Sequence, residues 1–266
     1  MDAGLDIQLR NAYMERHFAE RGREFLKIGN LKAMEDRTSA AVYVAKSIHD
    51  APLRRQYREE PYEKLIQVGA ALTGRRLPGC LVTDDIGDNI STKNRQFCEL
   101  TALYWIWKNA DEDIVGLAHY RRHFILPPDW IGRMLADRVD VILPVPLYVM
   151  PNLRENFKKR HDSVDWDYMM AYLRERDSQE AEQAETFFEG SLYSPCNMFI
   201  MRREVLDELC GWLFPILFAV AEHGGTREDG YGNRYPGFLS ERLISFFFEK
   251  NRERYKTVYS DKSFLD

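Results

Sequence analysis

Four short, mostly apolar runs, Ser39–Lys46, Asp113–Ala118, Asp140–Pro144 and Cys196–Met201, constrain the fold of this chain most. Each is too short for a helix and is bounded by polar or turn residues. That is the pattern of a strand buried on both faces. Longer segments with helical spacing separate them. Strands alternating with helices predict an α/β fold with a mainly parallel central sheet. Such a sheet carries its ligand site at the carboxyl ends of its strands, so the strand positions also indicate where the site lies.

Helices are expected over Tyr62–Leu72, stopped by Gly74, and over Arg95–Asn109, with Asn94 as its N-cap. Phe97, Leu100, Leu103, Tyr104, Ile106 and Trp107 cover most of the circumference of the second, which predicts a buried helix. Residues 151–190 read as two helical pieces. Arg203–Ala221 reads as an amphipathic helix kinked at Pro215, and Gly237–Asn251 as a last long helix. Lys256–Tyr259 reads as a terminal strand. Residues 1–37 are charged and only loosely periodic. They form a helical extension that either frays or packs on the edge of a main domain, residues 38–266.

Lys and Arg number 37 against 42 Asp and Glu, a net charge of −5, so nucleic acid is not an expected partner. Cys80, Cys98, Cys196 and Cys210 form neither a CxxC pair nor a zinc spacing, and read as reduced thiols of a cytosolic protein. The N-terminus lacks the apolar core of a signal peptide. Leu209–Ala221, the longest nearly uncharged stretch, is too short to span a bilayer. The expected location is the cytoplasm, with any membrane contact peripheral and at the inner face.

The expected strand ends carry Ile48-His49-Asp50, His119-Tyr-Arg-Arg-His123 and Asn197. An extended backbone would aim His119, Arg121 and His123 one way and Tyr120 and Arg122 the other. Two guanidiniums at a buried strand end suit a diphosphate; an ion-pair cluster with loop acids, or a solvated strand end, is the alternative. A metal on His119 and His123 would sit beside two cations, which disfavours it. Asp84, Asp85, Asp88 and Asn89 could hold Mg²⁺ or Mn²⁺, bond sugar hydroxyls, or simply build a turn. Glu99 lies within an apolar segment and needs a cationic partner, which suits structural support. Glu241, near a helix start, is either a favourable charge at the helix dipole or a general base. Arg154, Lys158, Lys159 and Arg160 form either a solvated helix face or a site for anionic headgroups. No GxGxxG, P-loop or GxSxG motif is present.

Five segments in order are Asp84-Asp-Ile-Gly-Asp-Asn-Ile-Ser-Thr-Lys-Asn94, Glu99-Leu-Thr-Ala-Leu-Tyr-Trp-Ile-Trp-Lys-Asn109, Gly116-Leu-Ala-His-Tyr-Arg-Arg-His-Phe124, Asn197-Met-Phe-Ile-Met201 and Gly237-Phe-Leu-Ser-Glu-Arg-Leu243. Together they resemble the bacterial capsular and exopolysaccharide synthesis family, formerly a domain of unknown function and now grouped with glycosyltransferases. The likeness covers residues 40–266. It implies a single Rossmann-like domain of the A type and a nucleotide-sugar donor. UDP-galactofuranose is the donor best associated with the family. The acceptor would be a saccharide or lipid-linked saccharide of a growing cell-surface polysaccharide.

Metal-dependent A-type enzymes end a central strand in Asp-x-Asp, where this chain has His-Tyr-Arg-Arg. Arg121 and Arg122 are therefore expected to replace the metal as partners of the diphosphate, with no cofactor. Mn²⁺ or Mg²⁺ on Asp84, Asp85 or Asp88 is the alternative. The segment Gly-Phe-Leu-Ser-Glu-Arg is similar in place to the motif that supplies the base of inverting A-type enzymes, which implies Glu241 as catalytic base. The donor-side residues taken with the resemblance are His49, Gly69, Asp84, Asp85, Asp88, Asn89, Lys93, His119, Arg121 and Arg122, with Asn197 and Arg242 on the acceptor side. Two places depart from the family pattern: the first strand ends in Ile48-His49-Asp50 where Thr-His-Lys is usual, and Ile86 replaces Thr in the acidic loop. A non-catalytic saccharide- or nucleotide-binding module in polysaccharide assembly is the competing reading.

Overall fold

A computed structural model describes residues 3–35, 37–54, 57, 60–80 and 82–265. The period-two pattern of the apolar runs resolves into two faces of one sheet. In strand β1 (Ala40–Lys46), Ala41, Tyr43 and Ala45 face one core and Val42 and Val44 the other. The chain continues through β2 (Glu63–Gln67), β3 (Val82–Thr83), β4 (Ile114–His119), β5 (Arg122–Phe124) and β6 (Val141–Pro144). A small hairpin pairs β7 (Leu147–Tyr148) with β8 (Leu192–Tyr193), and β9 (Phe199–Arg202), β10 (Thr257–Ser260) and β11 (Lys262–Phe264) complete the strands.

The main sheet runs β10-β6-β9-β4-β1-β2-β3, with β5 pairing the end of β4 and then β11. Strands β4, β1, β2 and β3 are mutually parallel, as are β10 and β6. Strand β9 runs antiparallel to both β4 and β6. The expected α/β fold with a mainly parallel sheet is what the chain adopts. The antiparallel β9 has one consequence for the site. Its first residues, rather than its last, reach the edge where the parallel strands end. Gly116 permits the close β4–β9 contact: a Cβ there would lie 2.9 Å from the Phe199 carbonyl oxygen.

The helices are α1 (Ala3–Ala19), α2 (Asn94–Phe97), α3 (Leu100–Asn109), α4 (Trp130–Ala136), α5 (Leu153–Arg160), α6 (Ser163–Arg176), α7 (Ser178–Phe188), α8 (Arg203–Gly224) and α9 (Tyr235–Lys250). The larger core lies between one sheet face and α3 with α5–α9. The smaller core lies under α4 and the turn at Ile28–Asn30.

Three local expectations are corrected. Tyr62–Leu72 is not a helix but β2 followed by a 3₁₀ turn at Ala70–Leu72. Ile66 is fully buried in the sheet, and the parallel ladder to β1 outweighs local preference. Arg95–Asn109 is interrupted, because Cys98 takes φ 49° between α2 and α3. Residues 151–190 hold three helices, each started by a capping side chain: Asn152 for α5, Asp162 for α6 and Asp177 for α7.

The N-terminal segment packs on the sheet edge. Met14 and Phe18 of α1 join Phe25 and Val145, and Phe25 stacks on Tyr259 at 5.2 Å. Arg10 reaches Asp261 at 2.8 Å. Among the described residues no helix is long and apolar enough to cross a membrane.

Candidate active site

At the carboxyl end of β4 the backbone reverses. His119 pairs with Arg122 across a two-residue turn, Tyr120-Arg121. The segment is therefore a hairpin and not the extended run its sequence suggests, and the two arginines separate. Arg122 lines a cavity of about 260 Å³ at this sheet edge. Arg121 does not line it. Its guanidinium lies 5.1 Å from the Tyr120 ring centre, with Nε buried and without a hydrogen-bond partner. His123 turns away altogether. It is buried against Glu63 at 2.7 Å and stacks on Tyr57 at 3.8 Å, so it and His119 do not converge.

The opposite wall of the cavity comes from α9, from the residues before β9, and from the break between α2 and α3. Glu241 Oε1 accepts the Cys196 N–H at 2.7 Å, and Oε2 accepts from Arg242 at 2.8 Å. Burial pushes the Glu241 carboxyl above its ordinary range, against the pull of Arg242 and the Cys196 N–H. A buried carboxylate raised in this way is a better proton acceptor than an exposed one.

Glu99 also lines the cavity. Its partner is not the cation expected from sequence but the Asn197 amide, at 2.7 Å. Asn197 donates further to the Gly237 carbonyl and accepts from Ser240 at 2.6 Å. The amide is thus fully committed, and Asn197 fastens Glu99 to the start of α9. The acceptor-side role read from the sequence is corrected to a tether. Arg242 is buried against the Tyr193 ring at 4.3 Å, so it acts through Glu241 rather than on a ligand directly.

His119 Nε2 lies 2.6 Å from the Cys196 carbonyl oxygen. A carbonyl only accepts, so Nε2 carries the proton and Nδ1 of the neutral ring is an acceptor. Burial pushes the imidazole below its usual value, which keeps it neutral at pH 7. Cys98 and Cys196 also line the cavity, but burial pushes their thiols up to about 12 and about 11. Both stay protonated and are poor nucleophiles. Cys98, Cys196 and Asn197 all have left-handed backbones, with φ of 49°, 75° and 49°. Such strain in non-glycine residues gathers at sites whose geometry is over-determined by their surroundings.

Arg234, Phe238 and Cys98 were not anticipated. Arg234 Nε donates to Cys98 Sγ at 3.0 Å, which holds the guanidinium over the cavity beside Phe238. The available signal was the Gly-rich Gly230-Tyr-Gly-Asn-Arg-Tyr-Pro-Gly237 loop leading into α9.

The acidic loop follows β3 and does not line the cavity, although Thr101 links Asp84 to the Cys98 carbonyl. Asp84 is fully buried, and its two oxygens accept the Gly69 and Ala70 N–H groups and the Ser91 and Thr101 hydroxyls. It is a structural anchor and is corrected as a donor contact. Gly69 is part of that anchor, with φ 65° and no room for a Cβ, which would meet Asn94 Oδ1 at 2.6 Å. Asp85 pairs with Arg76 at 2.7 Å. Asp88 accepts from Tyr104 at 3.2 Å, and Asn89 closes a turn onto the Gly87 carbonyl. Asp84 is fully engaged by protein donors, whereas Asp85 Oδ1 is buried without a hydrogen-bond partner. Among the described residues no group of three His, Cys, Asp or Glu could hold one. His49 and Lys93 are exposed and outside the cavity.

Fold and cavity together define a Rossmann-like α/β protein with a cavity lined by charged residues at its strand ends. The chain belongs to the DUF4422 family, a domain of unknown function, whose sequence pattern matches residues 48–252. Among solved structures it is similar to the WbbM bifunctional glycosyltransferase in its apo form, with 25% identity and a TM-score of 0.72. The likeness covers 86% of this chain and 45% of that one, so the chain spans less than half of that protein's length. No curated protein matches it in sequence. The family and the glycosyltransferase-like fold expected from the sequence motifs are borne out.

Proposed function

We propose that this chain is an inverting glycosyltransferase that moves a sugar from a nucleoside-diphosphate donor to a saccharide hydroxyl. The observation that carries the reading is a buried carboxylate of raised pKa, Glu241, in the same cavity as Arg122. Arg122 has no ion-pair partner among the described residues. In the proposed reaction Glu241 takes the acceptor's hydroxyl proton as its oxygen attacks the anomeric carbon. The bond from that carbon to the diphosphate oxygen breaks, and the electron pair leaves on the diphosphate. Arg122 balances that growing charge in a site partly shielded from water, where a fixed cation acts most strongly. Glu99 and neutral His119 are placed to hold hydroxyls of the sugar, as acceptors. The nucleotide would lie along the ends of β1 and β2.

The likeness to a glycosyltransferase supports the class of reaction, and the family motifs make UDP-galactofuranose the first donor to try. A saccharide or lipid-linked saccharide acceptor and a cytoplasmic setting belong to the same proposal. The test is nucleotide release from a panel of UDP-sugars, with acceptor saccharides, in EDTA and then with Mn²⁺. Release in EDTA supports the reading. Release only with Mn²⁺ overturns the role given to Arg122. No release from any donor, with nucleotide still bound, favours a non-catalytic binding module.

A further inference from the structure

The final strand brings a lysine beside Arg122 that lies outside the segment matched by the family, residues 48–252. Strand β11 pairs antiparallel with β5, so that Phe264 lies opposite Arg122 and Lys262 opposite Phe124. Residues directly opposite in a ladder share a face, and residues two apart on one strand share it too. Lys262 and Arg122 are therefore diagonal neighbours on one face, a separation that two long side chains readily bridge. The Arg122 guanidinium is 5.3 Å from the Phe264 ring centre, which fixes it on the same strand pair.

Neither cation has a carboxylate within ion-pair distance among the described residues. Asp261, the nearest acid along the chain, is already engaged by Arg10 and Lys27. Two half-buried like charges held side by side repel each other, and Asp261 beside Lys262 and Glu241 near Arg122 offset this without forming an ion pair to either. Burial, together with the nearby Arg10 and Arg122 charges, pushes the Lys262 ammonium below its usual value. Such a pair is stabilised when an anion with more than one charge lies between its members.

Resting on the glycosyltransferase reading, we propose that Lys262 and Arg122 form a two-cation clamp for the diphosphate of the donor. Asp261, anchored to α1 through Arg10 at 2.8 Å, holds β11 in register, so the N-terminal helix braces the clamp from behind. The site takes a diphosphate group, and the nucleoside is recognised elsewhere.

The test is calorimetric titration of wild type, Lys262→Met and Lys262→Arg with UDP, inorganic pyrophosphate and uridine, with thermal melting as a check of folding. Lys262→Met should weaken UDP and pyrophosphate by about 10- to 100-fold, as expected for a lost charged hydrogen bond, and leave uridine unchanged. Lys262→Arg should restore most of the loss. Equal UDP and pyrophosphate affinity in wild type and a folded Lys262→Met overturns the clamp while leaving the transferase reading intact. Pyrophosphate binding that depends on Lys262, without any UDP binding, keeps the clamp and overturns UDP as the donor nucleotide. Binding of neither ligand by wild type overturns both.

Discussion

Replacing Glu241 by Gln keeps the shape of the side chain and removes its ability to take a proton. In the wild type, Oε1 accepts the Cys196 N–H at 2.7 Å and Oε2 accepts from Arg242 at 2.8 Å. The Gln carbonyl can keep the first contact, but its amide then faces the Arg242 donor. Losing one charged hydrogen bond costs about 1.5–3 kcal/mol. Relief from burying an ionised carboxylate offsets part of that, so melting should move by only a few degrees. Turnover should fall by about 10²-fold or more, the usual contribution of a positioned base and roughly 2.7 kcal/mol of barrier. UDP affinity should stay near wild type. The pH profile carries the same prediction. Because the Glu241 pKa is raised, the acid limb of kcat/KM should lie above the ordinary carboxylate range. The sign for stability is the reverse. A raised carboxyl binds more protons folded than unfolded, so stability falls as pH rises from the unfolded value through the folded one. The assay is nucleotide release with donor and acceptor, run beside Glu99→Gln. Wild-type turnover in Glu241→Gln, or a larger loss in Glu99→Gln, would refute the assignment of the base.

Asp84→Ala should destabilise the protein by about 3 kcal/mol or more, since it strands two backbone N–H groups and two hydroxyls in the interior; a normal denaturation midpoint would contradict the anchor role. Gly69→Ala should cost about 1–2 kcal/mol from its left-handed backbone alone, and more from the contact with Asn94, as read by urea unfolding. An unchanged midpoint with weakened UDP binding would instead make Gly69 a ligand contact. Cys98 and Cys196, with thiols raised to about 12 and about 11, should alkylate slowly with iodoacetamide at pH 7.5 in the folded protein. Rapid modification of either, followed by mass spectrometry, would show that the cavity thiols are not held protonated.

The sheet was legible wherever a strand is buried on both faces, as in β1 and β4, where nearly every residue is apolar. Strand β2 was not, because its Glu63-Lys-Leu-Ile-Gln67 is half polar and only pairing with β1 makes it a strand. The hairpin after His119 escaped because its turn residues, Tyr120 and Arg121, include no Gly, Asn or Asp to signal it. That single reversal separates Arg121 from Arg122. The break at Cys98 was equally silent, since neither Gly nor Pro marks it. Of the candidate site, His119, Arg122, Asn197, Glu241 and Arg242 gather at one strand-end cluster, as the rule for parallel sheets predicts. The acids of the 84–89 loop stand out by composition and by the family motif they belong to. Composition alone does not distinguish a carboxylate that binds ligand from one that satisfies the backbone around it. Arg234 reaches the site only through tertiary contacts.

The most direct measurement is a crystal structure of the protein with UDP bound. The account predicts the diphosphate within hydrogen-bond distance of Arg122, on the cavity side that faces Glu241, with the nucleoside over the ends of β1 and β2. A diphosphate seated on the Asp85–Asp88 loop, out of reach of Arg122, would contradict it.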